Sequence, residues 1–419
     1  MTKEEHSQRI LELSDSHKYL MLKLPTSYGK TKLALDIIKR HTNPSMFGTN
    51  VLIAVPKLVI IETWKDEIAK WGIPDFIKVT FSTYISFPKH ADTSWDFVVL
   101  DEGHHFTENC AAATEAYHID RLIVLSATIE REVRYRLKDS FPGLYEYSVS
   151  VKEAIDEGVL PDPKVILVPM MLDNTRIDQK IEKNVSKSGE PIVVLYRNRF
   201  SVRGVKTRPV IIKCTQQEYY DYTSADIEWW EKEYMRTQQE FRKSIMLKKR
   251  GDRLHWLSEL KDSVVQSIMS AIGDDVRSIT FCASIAQTER LGEHCINSKN
   301  PQSDEFFEKF NKGEIQHITA CTILDEGINP VNCQMGVYAN LSSSKVKEVQ
   351  RLGRILRHKN PVIIIPYFVQ TREEEIVTKM LKNYNVSLIH KLFKTQVTKE
   401  SIMKIINGTP TNRTEKTDN

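Results

Sequence analysis

Residues 19–40 constrain this chain more than any others. A short apolar run over residues 19–24 is followed by Pro25, Thr26, Ser27, Tyr28, Gly29, Lys30 and Thr31, and then by an amphipathic stretch over residues 32–40. A strand that breaks into a loop ending Gly-Lys-Thr and continues as a helix is a setting in which backbone N–H groups and a helix N-terminus surround an anion. In such a loop residues 25–31 cradle the phosphates, Lys30 reaches the outer phosphoryl groups of a nucleoside triphosphate, and the Thr31 hydroxyl ligates magnesium. Leu24 departs from the glycine or alanine usual at the head of the loop.

A second apolar strand, residues 98–100, ends in Asp101 and Glu102, with His104 just behind. Asp101 can hold magnesium through water and Glu102 can orient and deprotonate an attacking water, both at the carboxyl end of a strand, where doubly wound sheets bind ligands. Around these motifs, short apolar runs (19–24, 51–55, 77–84, 97–100, 121–125) alternate with segments of helical period, which predicts a parallel sheet covered by helices over residues 1–150. A similar alternation, with strands near 279–282, 317–321, 335–339 and 362–368, predicts a second α/β domain over residues 276–407. Residues 151–275 differ: a crossover, basic strand-like sequence over 191–214 and charge-rich helix over 216–272 suggest a mainly helical insertion leading into the second domain. Residues 408–419 are polar and predicted to be a disordered tail.

Two domains suit the length, since 419 residues exceed what a single core usually supports. The formal net charge of +4 is too mild to indicate a polyanionic partner, so any basic surface must be local. Six cysteines occur without a CxxC pair or a nearby histidine at ligand spacing, which argues against a zinc site or a disulfide framework. A polar start and the absence of any long apolar run predict a cytoplasmic protein with no membrane segment.

Taken in order, these motifs resemble superfamily 2 DExH helicases and translocases. The resemblance continues through Ser126, Ala127 and Thr128, which follow a strand as the family's coupling motif does. It extends through residues 322–330 and into the run QRLGRILR over residues 350–357. It implies an α/β fold of two tandem RecA-like P-loop domains that hydrolyse ATP with Mg²⁺ in the cleft between them. In that scheme Gln350, Arg354 and Arg357 join Lys30, Asp101 and Glu102 as catalytic groups, with the two arginines reaching the γ-phosphate from the second domain. Gly327 and Asn329 would touch the nucleotide, Asn329 standing where the family more often has Asp. His104, Ser126 and Thr128 would couple hydrolysis to motion.

Nucleic acid is the implied track. Lys57, at the start of a helix after residues 51–55, resembles an early backbone contact, and Thr83, Ser284 and Thr322 match further ones, all to phosphate and sugar. Trp64 and Trp71, seven apart on that helix, are predicted to line a core face. Tyr219, Tyr220, Tyr222, Trp229, Trp230 and Tyr234 are predicted to form the core of a helical subdomain. Two basic runs, one from Arg197 to Arg208 and one including Arg242, Lys243, Lys248, Lys249, Arg250 and Arg253, read singly as solvated faces; together they suit duplex contact. The expected function is therefore an ATP-dependent helicase or duplex translocase acting on duplex, forked or branched DNA in replication, recombination or repair. Alternatives are an RNA helicase, the motor subunit of a restriction or remodelling assembly, and a binding module with a decayed ATPase.

Overall fold

The computed structural model describes residues 1–26, 28–42, 48–186, 207–321, 330–382 and 384–408, with the backbone alone at 183–186, 207–209 and 345–347. The amino-terminal unit comprises α1 (Lys3–Ser16), β1 (Tyr19–Lys23), α2 (Lys30–Arg40), β2 (Thr49–Val55), α3 (Leu58–Trp71), β3 (Ile77–Thr83), β4 (Ser94–Asp101), α4 (Glu108–Ala113), β5 (His118–Ser126), α5 (Arg131–Ser140) and β6 (Tyr145–Ser148). Its six strands are all parallel, in the order β3-β2-β4-β5-β1-β6. A parallel sheet covered on both faces needs unbroken apolar runs, and the four inner strands β2, β4, β5 and β1 carry them. Leu20, Leu22, Ile53, Val99 and Ile123 pack toward α2 and α3, whereas Met21, Leu52, Val98, Leu100 and Val124 pack toward Phe87, Phe106 and Phe141.

After α6 (Val151–Asp156) come β7 (Lys164–Met170), β8 (Gln179–Ser186) and β9 (Thr207–Cys214), then the long helices α7 (Gln216–Thr237), α8 (Glu240–Glu259) and α9 (Asp262–Ile272). The remainder is β10 (Ser278–Phe281), α10 (Ile285–Leu291), β11 (Cys295–Ile296), α11 (Ser303–Lys312), β12 (His317–Ala320), β13 (Met335–Val337), α12 (Lys345–Ile355), β14 (Val362–Phe368), α13 (Arg372–Leu381), β15 (Ile389–Lys391) and α14 (Lys399–Asn407). Seven strands form a second parallel sheet, β11-β12-β10-β13-β14-β7-β15.

One boundary differs from the sequence expectation, which left residues 151–275 as a lead-in to a second domain starting at 276. Strand β7 lies inside the second sheet, hydrogen-bonded between β14 and β15. The inserted part is the antiparallel β8–β9 pair and the α7–α8 hairpin, which emerge between β7 and α9. An apolar run such as that of β7 announces a buried strand but carries no signal naming its neighbours, here almost 200 residues away. Residues 409–419 lie outside the described residues.

Within the second unit, Lys261 and Glu373 form an ion pair of 2.6 Å with both side chains fully buried. The other Glu373 oxygen accepts the Phe368 N–H at 3.0 Å, so this pair ties α9 to the end of β14 and the start of α13.

Candidate nucleotide cleft

The phosphate loop occupies the carboxyl end of β1. The Leu24 N–H donates to the Ser126 carbonyl (3.0 Å), extending the β1–β5 ladder by one residue, and the Leu24 side chain is fully buried in the core. A larger residue is tolerated at the head of this loop because its side chain points away from the loop's concavity. Gly29 caps α2 with φ of 94°, a left-handed conformation costly for any other residue type. Lys30 Nζ folds back to the Leu24 carbonyl at 3.4 Å. Tyr28 points the other way: its ring is buried against His6 of α1, in edge contact with centroids 6.0 Å apart. Ser27 lies outside the described residues.

Asp101 and Glu102 stand at the end of β4, separated from the loop by β5. Asp101 is buried; one carboxylate oxygen accepts the indole N–H of Trp64 at 2.8 Å and the other the Glu102 N–H at 3.0 Å. Burial, followed by the charge of Glu102, raises the Asp101 pKa to about 6, against the opposing effects of the Trp64 hydrogen bond and Lys30. Glu102 adopts a left-handed backbone with φ of 47°, uncommon for a residue with a side chain and of the kind that clusters at functional sites. Its Oε2 is buried without a hydrogen bond, 3.4 Å from His104 Nδ1. Trp64 is the functional residue that helix periodicity missed: the pattern predicts its burial but not what its N–H would hold. Trp71, expected beside it in the core, is instead 40% exposed, donates to Glu67 at 2.7 Å and carries Lys32 and Lys70 over its ring, each 5.0 Å from the centroid.

Across a cleft of about 350 Å³, helix α12 faces these groups. Thr26, Gly29, Lys30, Thr31, Asp101 and Glu102 line one wall; Gln350, Arg354 and Arg357 line the other. Gln350 and Arg354 are buried, one helical turn apart, and Arg357 follows just past the helix end at the rim. The Thr26 hydroxyl donates to the Val349 carbonyl at 3.0 Å. Gly353 is what permits this approach, for a Cβ there would lie 1.7 Å from Thr26 Oγ1.

The strand between the two motifs links them. Ser126, at the end of β5, donates through Oγ to the Thr128 carbonyl at 2.7 Å and meets His104 Nδ1 at 3.2 Å, while Thr128 Oγ1 is buried with no hydrogen-bond partner among the described residues. Lys57 and Thr83 follow or end the neighbouring strands β2 and β3, and Ser284 follows β10, each at a carboxyl end of its sheet. The Ser284 hydroxyl accepts the Gln287 N–H at 3.1 Å as the cap of α10. Thr322, Gly327 and Asn329 fall outside the described residues, as do Arg197, Arg199, Arg203 and Lys206.

For a nucleoside triphosphate the cleft fits: its volume lies within the range of small-molecule sites, Gly29 provides the turn, and the unbonded Glu102 oxygen offers an acceptor to water. Thr31 and Asp101 both line the cleft and carry oxygen atoms of the kind a magnesium ion takes as ligands, directly or through water.

Two parallel α/β sheets that share a phosphate-loop cleft mark the tandem RecA-like motor ATPases, and this chain is of that class. Comparison with known proteins is more specific. Residues 2–131 match the family model described as type III restriction enzyme, res subunit, and residues 261–359 match the helicase conserved C-terminal domain. A relative named DNA 3'-5' translocase XPB2, from Sulfurisphaera tokodaii, is 23% identical over 389 residues, covering 87% of this chain and 79% of its own. Among solved structures, S. cerevisiae Dbp5 bound to RNA and ADP BeF3 superposes with a TM-score of 0.58 at 13% identity, covering 96% of this chain and 93% of that one. The Pyrococcus furiosus Hef helicase domain gives 0.52 at 14% identity, covering 90% and 97%. Together the two matched models and the translocase relative indicate a superfamily 2 helicase or translocase, and such families are nucleic-acid-dependent ATPases. None of the described helices is long and apolar enough to cross a membrane.

Proposed function

We propose that this chain is an ATP-dependent DNA helicase or duplex translocase whose two domains open and close on the nucleotide. The observation that carries this reading is the cleft in which Lys30, Asp101 and Glu102 face Gln350, Arg354 and Arg357. Lys30 and the loop N–H groups hold the β- and γ-phosphates, and Thr31 and Asp101 hold Mg²⁺, which when bound offsets charge on the phosphate oxygens. Glu102 orients the attacking water and takes its proton. Gln350 helps position that water, and Arg354 and Arg357 stabilise the charge that builds on the transferring phosphoryl group, a contribution typically worth about 10³- to 10⁵-fold in rate.

Because Thr26 bonds directly to α12, a change in phosphate occupancy on one side is felt mechanically on the other, which is how hydrolysis becomes domain motion. His104 and Ser126, which touch each other beneath the cleft, pass the state of Glu102 to the end of β5. Lys57, Thr83, Ser284 and Thr322 hold the backbone of the track, so binding is expected to be indifferent to sequence.

The name of the translocase relative favours DNA as that track. Measuring ATPase rates with duplex DNA, single-stranded DNA and RNA tests the assignment. Stimulation by DNA, abolished in Glu102→Gln with ATP binding retained, is expected; stimulation by RNA alone overturns the DNA assignment, and unchanged hydrolysis in Glu102→Gln overturns the role of that carboxylate.

A further inference from the structure

Helix α8 carries a dense basic run, of which Arg242, Lys249 and Arg250 are neutralised across the hairpin by carboxylates of α7. Lys249 meets Asp226 at 2.5 Å and Arg250 meets Glu231 at 2.9 Å; Arg242 pairs with Glu233, and Lys243 pairs within its own helix with Glu240. Arg253 breaks the pattern. Its guanidinium donates to the Ser224 hydroxyl at 2.7 Å and lies 5.1 Å from the centre of the Tyr220 ring, with no carboxylate in ion-pair distance among the described residues. Its Nε is buried and unbonded. A half-buried cation with no carboxylate in direct contact has given up hydration for one hydroxyl and the face of a ring, which favours an anion arriving from outside.

Arg253 opens onto a cavity of about 780 Å³ between the hairpin and the second sheet. Its far wall is the loop leaving β13, including Asn340, Ser342 and Ser343, and the start of α13; Glu228, Glu231 and Glu375 also line it, the last two paired with Arg250 and Arg372. The two serines offer hydroxyl donors. The Asn340 side-chain oxygen is buried without a partner, and a turned amide would present two N–H donors there.

This wall belongs to one hydrogen-bonded block with the Ser284 turn. Asn340 N–H donates to the Phe281 carbonyl (2.9 Å), Ser258 Oγ at the root of the hairpin donates to the Ala339 carbonyl (2.8 Å), and Gln287 spans the Ser258 carbonyl and the Ala283 N–H at 2.9 and 2.8 Å. An anion in the cavity is therefore held rigidly with respect to the carboxyl end of the second sheet, where Ser284 stands. The same wall continues into α12, since Arg351 donates to the Asn340 carbonyl at 2.9 Å.

We propose that this cavity is a phosphate-binding pocket, in which Arg253 with Ser342 and Ser343 receives a backbone phosphate of the bound nucleic acid. The proposal rests on the nucleic-acid reading above and adds to it a grip at the root of the α7–α8 hairpin, wired through Asn340 to the helix bearing Arg354. A guanidinium fork matches phosphoryl oxygens and needs no base contact, so this grip is sequence-independent.

The test is equilibrium binding of a labelled random-sequence DNA duplex to the full chain over a salt series. Removing one phosphate contact in Arg253→Gln should lower the steepness of log K against log salt by about 0.9 and weaken binding by about tenfold, while Arg253→Lys retains the slope. Ser343→Glu, which places a carboxylate at the pocket rim and leaves the guanidinium in place, should weaken binding similarly and serves if Arg253→Gln fails to fold. Wild-type slopes in both Arg253→Gln and Ser343→Glu, with both folded by circular dichroism, overturn the pocket alone. Absence of any binding by the wild type overturns the nucleic-acid reading with it. If inorganic phosphate raises the wild-type melting temperature through Arg253 while the DNA slopes do not change, the pocket serves a free anion and the strand assignment is wrong.

Discussion

The contact between Thr26 and Gly353 makes a sharp prediction, because there the two domains touch across the cleft. In Gly353→Ala the new methyl would start 1.7 Å from Thr26 Oγ1 and 2.2 Å from its Cβ, whereas ordinary contact begins at 3.4 Å. The cleft must then open by up to about 1.7 Å, or Thr26 must turn and lose its bond to Val349. Turning alone does not suffice, since Cβ does not move with the rotamer. Arg354 and Arg357 ride on or next to α12, so they retreat with it. A misplacement of about 1 Å in a catalytic group costs on the order of 10²-fold in rate, and loss of an arginine finger sets the ceiling at about 10³- to 10⁵-fold. We expect kcat to fall at least about 100-fold with the KM for ATP less affected, because the clash falls on Thr26 and not on Lys30 or Thr31. The fold should not suffer: alanine is preferred over glycine within a helix by about 1 kcal/mol, so the melting temperature should hold or rise. Steady-state ATPase assays with and without DNA, alongside thermal melts, read both quantities. Thr26→Gly in the Gly353→Ala background removes the obstructing Cβ and should restore part of the rate. Undiminished kcat in Gly353→Ala would refute the idea that this close approach assembles the site.

Two further substitutions probe the buried charges. Asp101→Asn should abolish hydrolysis and remove a pH dependence of stability that the carboxyl group confers. With its pKa raised from 3.8 to about 6, the folded protein holds a proton that the unfolded chain has released, so stability falls as pH rises through that interval. Wild-type stability should therefore fall between about pH 4 and pH 6 in denaturant titrations, and that fall should be missing in Asp101→Asn. Lys261→Met should cost about 3–5 kcal/mol by stranding Glu373, and Lys261→Met with Glu373→Leu should recover much of it, less the bond to the Phe368 N–H; equal losses in single and double variants would contradict this account.

Much of the architecture could be read from sequence because its signals are local. The loop over residues 25–31 announces itself by the strand before it and the helix after it, and residues 350–357 by their arginines around a glycine. Gly353 looked out of place on a helix until its neighbour was known to be Thr26, 327 positions away. What sequence could not supply was partnership at a distance. Periodicity put Trp64 on a buried face without indicating that Asp101 would accept its N–H, and the same reasoning misplaced Trp71, whose ring is sheltered by two lysines. The basic run of α8 looked like a single positive surface; only the hairpin showed which of its charges α7 had already answered.

The position of β7 has a consequence for how the chain is made. The first sheet is complete once residue 148 has been synthesised, since β6 is its last strand, and that unit can close while synthesis continues. Strand β7 is made next but needs β14 on one side and β15 on the other, so it waits through some 190 further residues for the first and about 220 for the second. During that interval the nascent chain carries a finished first sheet joined to a strand whose neighbours are not yet made. Slow elongation between residues 170 and 362 would therefore tax the yield of this protein far more than the same delay before residue 148.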